Sequence, residues 1–132
     1  MSRNVKALID SHAFLWALEG NPRLGPEARG VLDGGGNELY LSLVSIWELA
    51  IKASAGKLDL PQPASRYLER EAAARDVTLL PLRVAYVQQM ELLPFYHRDP
   101  FDRMLVAQAL VEDLVLLTVD RQLARYGVRV IW

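Results

Sequence analysis

The sequence contains no cysteine, which excludes disulfide bonds, zinc–thiolate sites and thiol nucleophiles. It has two histidines, His12 and His97, and neither has a second histidine at a metal-ligand spacing. No apolar run is long enough to cross a bilayer, so we expect no membrane span. The N-terminus lacks an extended apolar stretch and a small-residue cleavage site. We therefore predict no signal peptide and expect a cytoplasmic protein.

The sequence also has no excess of basic residues, because it contains 15 Lys and Arg residues and 16 Asp and Glu residues. General nucleic-acid binders usually carry a basic excess, so composition alone argues mildly against RNA. That argument weakens if the acids are concentrated at one site, where bound divalent cations would invert the local potential. The length of 132 residues and the 52% hydrophobic content predict one globular domain spanning residues 1–132.

Strand and helix patterns alternate along the chain. Short apolar runs predict strands at 5–9, 38–41, 77–80, 114–118 and 128–131. Helices are predicted at 11–19, 26–32, 43–54, 64–75, 83–93, 101–112 and 121–126. Because the strands are continuous apolar runs, the pattern favours an α/β fold with a parallel sheet of about five strands covered on both faces.

Acidic residues occur where these elements meet. Asp10 follows the first strand, Glu48 lies early in the helix after the second, and Asp120 follows the fourth; Asp99 and Asp102 open the helix before that strand. In a parallel sheet these positions share the edge at which ligands bind. Clustered carboxylates repel one another, and a hard divalent cation such as Mg²⁺ or Mn²⁺ is the usual remedy. The cluster therefore predicts phosphodiester hydrolysis by a metal-activated water.

Helix capping is the alternative explanation for each acid taken singly. Asp10 and Asp120 each precede a helix, and Asp99 before Pro100 has the signature of an N-cap, which we take as its main role. Ser45-x-x-Glu48 has the spacing of a capping box, and Asp102 occupies a position that serves one too. Capping does not explain why the acids converge, although any α/β protein gathers helix N-termini at this edge.

Four stretches carry a resemblance that covers nearly the whole chain. They are LIDSHAFLWAL (Leu8–Leu18), LSLVSIWELAIK (Leu41–Lys52), HRDPFDRMLVAQA (His97–Ala109) and LLTVDRQLARYGV (Leu116–Val128). In order and spacing they resemble PIN-domain proteins, and more narrowly the VapC-type toxins of bacterial toxin–antitoxin pairs. The third stretch is the most specific.

The resemblance implies a three-layer α/β/α fold and an endoribonuclease that depends on Mg²⁺ or Mn²⁺. By matched motif it assigns catalysis and metal binding to four acids: Asp10, Glu48, Asp102 and Asp120. Asp99 and Ser11 would have supporting roles, with the Ser11 hydroxyl orienting Asp10 or a metal-bound water. The resemblance further implies a homodimer and a small antitoxin partner whose DNA-binding part contacts operator DNA.

The modest positive charge leaves the RNA-binding surface unassigned. Arg98 and Arg103 flank the aspartates and are candidates for phosphate contact or charge balance; a solvated arginine or a salt bridge is the alternative. Phe95 and Tyr96 beside them suit base stacking or an antitoxin equally. For His12 a structural hydrogen bond is favoured over a role in the site. Core or interface packing is expected of Trp16 and Trp47.

Other function classes fit less well. A dinucleotide site needs G-x-G-x-x-G after the first strand, where this sequence has Asp10, Ser11 and His12, and no phosphate-binding P-loop occurs. A haloacid-dehalogenase-like phosphatase usually has a second Asp where His12 stands. The open alternatives are a catalytically silent scaffold that binds a protein partner or RNA, and a deoxyribonuclease with the same chemistry.

Overall fold

A five-stranded parallel sheet forms the centre of the computed structural model, which describes residues 4–132. Its strands are β1 (Lys6–Ile9), β2 (Glu38–Ser42), β3 (Val77–Leu80), β4 (Val115–Leu117) and β5 (Val130–Ile131). They are ordered β3-β2-β1-β4-β5, and Ile9 of β1 pairs with Leu41 on one side and Leu117 on the other. The strand order therefore reverses between β1 and β4, the point at which such sheets open a crevice beyond their carboxyl ends.

Helices cover both faces of the sheet. They are α1 (Ser11–Glu19), α2 (Pro26–Asp33), α3 (Leu43–Ser54), α4 (Ala64–Ala74), α5 (Val84–Leu92), α6 (Pro100–Glu112) and a 3₁₀ helix (Arg121–Tyr126). Because side chains alternate along a strand, Ala7 and Ile9 pack with α1–α4, whereas Leu8 packs with α5, α6 and the 3₁₀ helix. The expected three-layer α/β/α architecture is confirmed. No helix within residues 4–132 is long and apolar enough to span a bilayer.

The start of α3 corrects one expectation. Its N-cap is Ser42, whose hydroxyl accepts a hydrogen bond from the Val44 N–H at 3.0 Å. Ser45 lies inside the helix with a buried hydroxyl that has no partner among the described residues. The Ser45–Glu48 capping box is therefore wrong, and Glu48, one turn further into the helix, is free to face the sheet edge.

The N-terminus of α2 binds the backbone of Trp132. The Glu27 and Ala28 N–H groups donate to the Trp132 carbonyl oxygen at 3.1 and 3.3 Å. The first N–H groups of a helix have no partner within the helix, so this carbonyl caps it. Gly25 makes the approach possible, because a Cβ there would lie 2.5 Å from both the carbonyl carbon and the oxygen of Trp132.

We therefore expect Gly25→Ala to lower the free energy of unfolding by about 1–3 kcal/mol, since backbone atoms must move to admit the methyl group. The matched control is Gly30→Ala inside α2, the helix that Gly25 precedes as N-cap, where a Cβ would meet nothing within 4 Å. That change should stabilise by about 0.5–1 kcal/mol through helix propensity. Urea unfolding of both variants measures the difference, and equal effects of the two would contradict the steric argument.

Candidate active site

The five carboxylates singled out in the sequence line one cavity of about 240 Å³ at the carboxyl edge of the sheet. They come from four separate segments and are Asp10, Glu48, Asp99, Asp102 and Asp120. Ser11, His12, Lys52 and Thr118 also line this cavity. Larger cavities of about 480 and 530 Å³ lie elsewhere, but neither gathers acids in this way. Chemistry, not size, therefore marks this cavity as the candidate site.

Asp10 is held at the switch point between β1 and β4. Its backbone N–H donates to the Leu117 carbonyl at 3.1 Å, and its carboxylate accepts from the Ala13 N–H at 2.8 Å as the N-cap of α1. Burial raises the pKa of Asp10 above its ordinary value, although hydrogen bonds from the Thr118 hydroxyl and the Ala13 N–H oppose the shift. The structure thus fixes a costly buried carboxylate in one orientation.

Glu48 is held between a hydroxyl and a cation. Ser11 Oγ donates to Glu48 Oε1 at 2.6 Å, and Lys52 Nζ donates to Glu48 Oε2 at 3.1 Å. Ser11 was expected to orient Asp10 or a metal-bound water; the structure pairs its hydroxyl with Glu48 instead of Asp10. Lys52 was missed in the sequence, although its i,i+4 spacing from Glu48 is the signal of a helical ion pair.

Asp99 and Asp120 both cap helices. Asp99 Oδ1 accepts from the Phe101 and Asp102 N–H groups at 2.8 and 3.3 Å, so its expected role as the cap of α6 is present. Asp120 Oδ1 accepts from the Gln122 N–H, while its Oδ2 lies 3.0 Å from His97 Nε2. His97 was not assigned to the site from the sequence, because a contact across 23 residues leaves no local pattern.

Asp102 differs from the other four acids. Within residues 4–132 its carboxylate has neither a hydrogen bond nor an ion pair, so the capping-box explanation is wrong for it too. Burial, followed by the charges of Asp99, Glu48, Asp10 and Asp120, raises the pKa of Asp102 to about 6. A carboxylate left among like charges without a donor costs folding energy. That cost points to a function other than stability.

Arg103 and His12 occupy surroundings different from those expected, whereas Arg98 does not. Arg103 is buried, and its guanidinium donates to the carbonyls of Pro94, Met90 and Leu93 at 2.8, 3.2 and 3.3 Å. The proposal that it contacts phosphate is therefore wrong, because these donors are already engaged. Arg98 is exposed. His12 is exposed and packs against Trp16, with ring centroids 5.8 Å apart, rather than forming a structural hydrogen bond within the described residues.

Comparison with known proteins identifies this arrangement. The family model of the PIN domain matches residues 7–129, which contain all five carboxylates. The chain belongs to the PIN-domain family. It is 30% identical over 117 residues to Ribonuclease VapC22 of Mycobacterium tuberculosis, with 88% of each protein covered. The predicted resemblance to PIN domains and VapC proteins is thus confirmed.

Solved structures share the fold of this PIN domain at low sequence identity. It is similar to a chain in the crystal structure of VapBC2 from Rickettsia felis bound to a promoter DNA fragment, at a TM-score of 0.74 and 12% identity. That match covers 96% of this chain and 98% of the other. VapBC-1 from nontypeable Haemophilus influenzae matches at a TM-score of 0.67 and 16% identity, covering 96% and 97%. These likenesses support the fold.

The donor chemistry of this PIN domain suits a hard divalent cation. Its carboxylate oxygens are the ligands that Mg²⁺ and Mn²⁺ prefer, and Asp102 has no competing donor within the described residues. As they stand in residues 4–132, however, no three acidic or imidazole side chains converge closely enough to hold an ion. The oxygen donors therefore fit such an ion in type and in shared location, without forming a ready-made cage.

Proposed function

We propose that this PIN-domain protein is a metal-dependent endoribonuclease, the toxin of a toxin–antitoxin pair. The observation that carries the proposal is Asp102, a carboxylate that has no donor among the described residues and lies close to four others at the crevice of the sheet. Similarity to Ribonuclease VapC22 supplies the class of substrate. A cytoplasmic location and the single domain over residues 1–132 belong to the same proposal.

Asp10, Glu48, Asp102 and Asp120 would hold the Mg²⁺ or Mn²⁺. When bound, such an ion supplies a water of lowered pKa and positive charge against the phosphate. The chain itself orients the oxygens: the Ala13 N–H fixes Asp10, Ser11 fixes Glu48, and His97 fixes one oxygen of Asp120. Hydrogen bonds of this kind to ligand carboxylates commonly tune metal affinity.

Lys52 gives the cavity a cation of its own. Its ammonium group neutralises one oxygen of Glu48 while 39% of its side chain remains exposed. A partly exposed cation beside the carboxylates lowers the repulsion that a phosphodiester would meet on entering the cavity. Lys52 therefore has two roles in the proposal, as a counter-ion for Glu48 and as an attractive charge for substrate.

The partners in this proposal are a small antitoxin and a second copy of the chain. Solved relatives of the same fold are VapBC complexes, and one of them is bound to promoter DNA. By analogy the antitoxin would cover the carboxylate cavity and its DNA-binding part would contact operator DNA. The homodimer rests on the same analogy.

The test is cleavage of total RNA and of a DNA oligomer by the purified chain, free of antitoxin, with Mg²⁺ or Mn²⁺. We expect discrete RNA fragments with metal, none with a chelator, and recovery when metal is added back. Cleavage of DNA alone would make the chain a deoxyribonuclease. Intact RNA together with no calorimetric signal of metal binding would contradict the proposed enzymatic activity and leave a catalytically silent scaffold as the explanation. RNA cleavage that persists in the presence of the chelator would contradict the proposed dependence on a metal ion.

A further inference from the structure

The loop between α5 and α6 presents two aromatic rings to solvent, each in contact with an arginine. Phe95 is 83% exposed, and the Arg103 guanidinium lies 4.1 Å from its ring centroid. Tyr96 is 43% exposed, and the Arg125 guanidinium lies 4.0 Å from its ring. Aromatic side chains so open to water usually mark a binding surface. We call Phe95, Tyr96, Arg98 and Arg125 the aromatic–arginine surface.

The rings are held in place although they are exposed. Arg103 is fixed by the backbone carbonyls at the end of α5, so the charge beneath Phe95 has one position. Tyr96 packs on Tyr126, with ring centroids 5.0 Å apart, and the Tyr126 hydroxyl accepts from the His97 N–H at 2.7 Å. A flat ring whose orientation is already fixed loses little entropy when a partner stacks on it.

Two exposed cations accompany the rings despite the net charge of −1: Arg125 contacts Tyr96, and Arg98 lies two residues after Tyr96. Arg98 directly precedes Asp99, and His97 Nε2, next to Tyr96 in the chain, lies 3.0 Å from Asp120 Oδ2, so this surface adjoins the carboxylate cavity. The aromatic rings and the cations thus lie on the segments that supply two of the five cavity acids.

We propose that the aromatic–arginine surface binds single-stranded RNA beside the carboxylate cavity. Phe95 and Tyr96 stack on unpaired bases, and the arginines contact phosphates. This inference rests on the proposed function and names the part of the chain that holds the substrate. Flat rings flanked by guanidinium groups complement unpaired bases on a polyanion. An apolar protein partner would gain nothing from the two exposed arginines beside the rings, whereas a polyanion pairs with them, so RNA is favoured over an antitoxin as the occupant.

The discriminating variant is Phe95→Leu, which keeps an apolar side chain but removes the stacking plane. We expect it to raise KM for a single-stranded RNA about tenfold while kcat changes less than about twofold, whereas Phe95→Tyr restores the KM of the wild type. Cleavage of a duplex of the same sequence should respond much less, because its bases are already stacked. Leu92→Ala is the matched control, since Leu92 is 78% exposed on neighbouring α5.

The proposed contacts between the arginines and phosphate are tested by the salt dependence of RNA affinity. Arg125→Gln should make the negative slope of log affinity against log salt shallower by about one, as expected for one lost phosphate contact, and Phe95→Leu should leave that slope unchanged. Binding is measured by anisotropy of a labelled single-stranded RNA in an Asp10→Asn background. An unchanged slope in Arg125→Gln would remove the phosphate contacts from the proposal.

Two outcomes separate this inference from the proposed function. If the wild type cleaves RNA and Phe95→Leu has the same KM, the enzyme stands and this surface is wrong. Loss of antitoxin affinity in Phe95→Leu with an unchanged KM would assign the rings to the protein partner instead, and would equally overturn the inference. If the wild type cleaves no RNA in either metal, the proposed function fails, whereas the surface fails only if the anisotropy assay also finds no effect of Arg125→Gln on RNA binding.

Discussion

Asp102→Asn is expected to reduce RNA cleavage by at least about a hundredfold, because it removes an oxygen ligand that the proposed chemistry needs. The same change should make the metal-free protein more stable. At neutral pH the Asp102 carboxylate is charged among four other acids and has no donor within the described residues. An amide of nearly the same shape ends that repulsion. Activity and stability therefore change in opposite directions, as is common when a residue serves chemistry at the expense of folding.

The pH dependence follows from the direction of the pKa shift. The folded protein raises the pKa of Asp102 from 3.8 to about 6, so it binds the proton more tightly than the unfolded chain does. Stability of the metal-free protein should consequently fall as pH rises from about 4 to about 6, and level off above that range. Because Asp102 is partly exposed, solvent screening reduces the contribution to about 1–2 kcal/mol.

Urea unfolding in a chelator between pH 4 and 8, beside cleavage assays in Mg²⁺, measures both effects. Asp59→Asn is the matched control, since Asp59 is an exposed acid in the segment between α3 and α4. Asp59→Asn should retain full cleavage activity and show none of the gain in stability expected for Asp102→Asn. A variant at position 102 that loses activity and stability together would mean that Asp102 supports the fold rather than the chemistry.

Arg103→Ala is expected to lower the free energy of unfolding by about 3 kcal/mol, although no carboxylate pairs with Arg103 in the described residues. Its guanidinium donates to three carbonyls at and just beyond the C-terminal end of α5. The Met90 carbonyl also accepts from the Leu93 N–H, but the Leu93 and Pro94 carbonyls depend on Arg103 among the described residues, and a cation there opposes the negative end of the helix dipole. Truncation would leave these two carbonyls unpaired and remove the contact beneath Phe95.

Two further variants isolate the geometry of the guanidinium. Arg103→Lys keeps the charge but replaces the planar set of five donors by a single ammonium group, so we expect it to recover less than about half of the loss. Arg98→Ala changes an exposed arginine nearby and should alter stability by less than about 0.5 kcal/mol. Thermal and urea unfolding report all three. Full recovery by lysine would show that charge alone is what α5 requires.

Much of the architecture follows from local sequence patterns. All the predicted strands and helices occur within a few residues of their expected bounds, because apolar periodicity and capping residues act over short distances. The convergence of the acids also follows, since a parallel sheet places strand ends and helix N-termini at one edge. Pro100 and Asp99 fix the start of α6 at the residues that the cap signature indicates.

The contacts that distinguish one polar residue from another do not follow from local patterns. Arg98 and Arg103 lie on either side of the Asp99–Asp102 segment and each adjoins an aspartate, yet Arg103 is buried and Arg98 is exposed. The partner of Ser11 is 37 residues away, and that of His97 is 23 residues away. Trp47, expected in the core or an interface, is 62% exposed and packs edge-on against Phe101. Each depends on how helices pack across the sheet, which no single segment encodes.

Three of the five cavity acids also cap a helix. Selection for folding therefore acts on those three positions, in addition to any selection for chemistry. Asp10, Asp99 and Asp120 cap the elements that follow them, a role that Asn, Ser or Thr also performs. In a lineage that had lost the need for the chemistry, selection for folding alone would keep a capping residue at positions 10, 99 and 120. Position 102 has no such protection. Its acid would be the first to disappear, and its persistence in a relative would indicate that the chemistry is still in use.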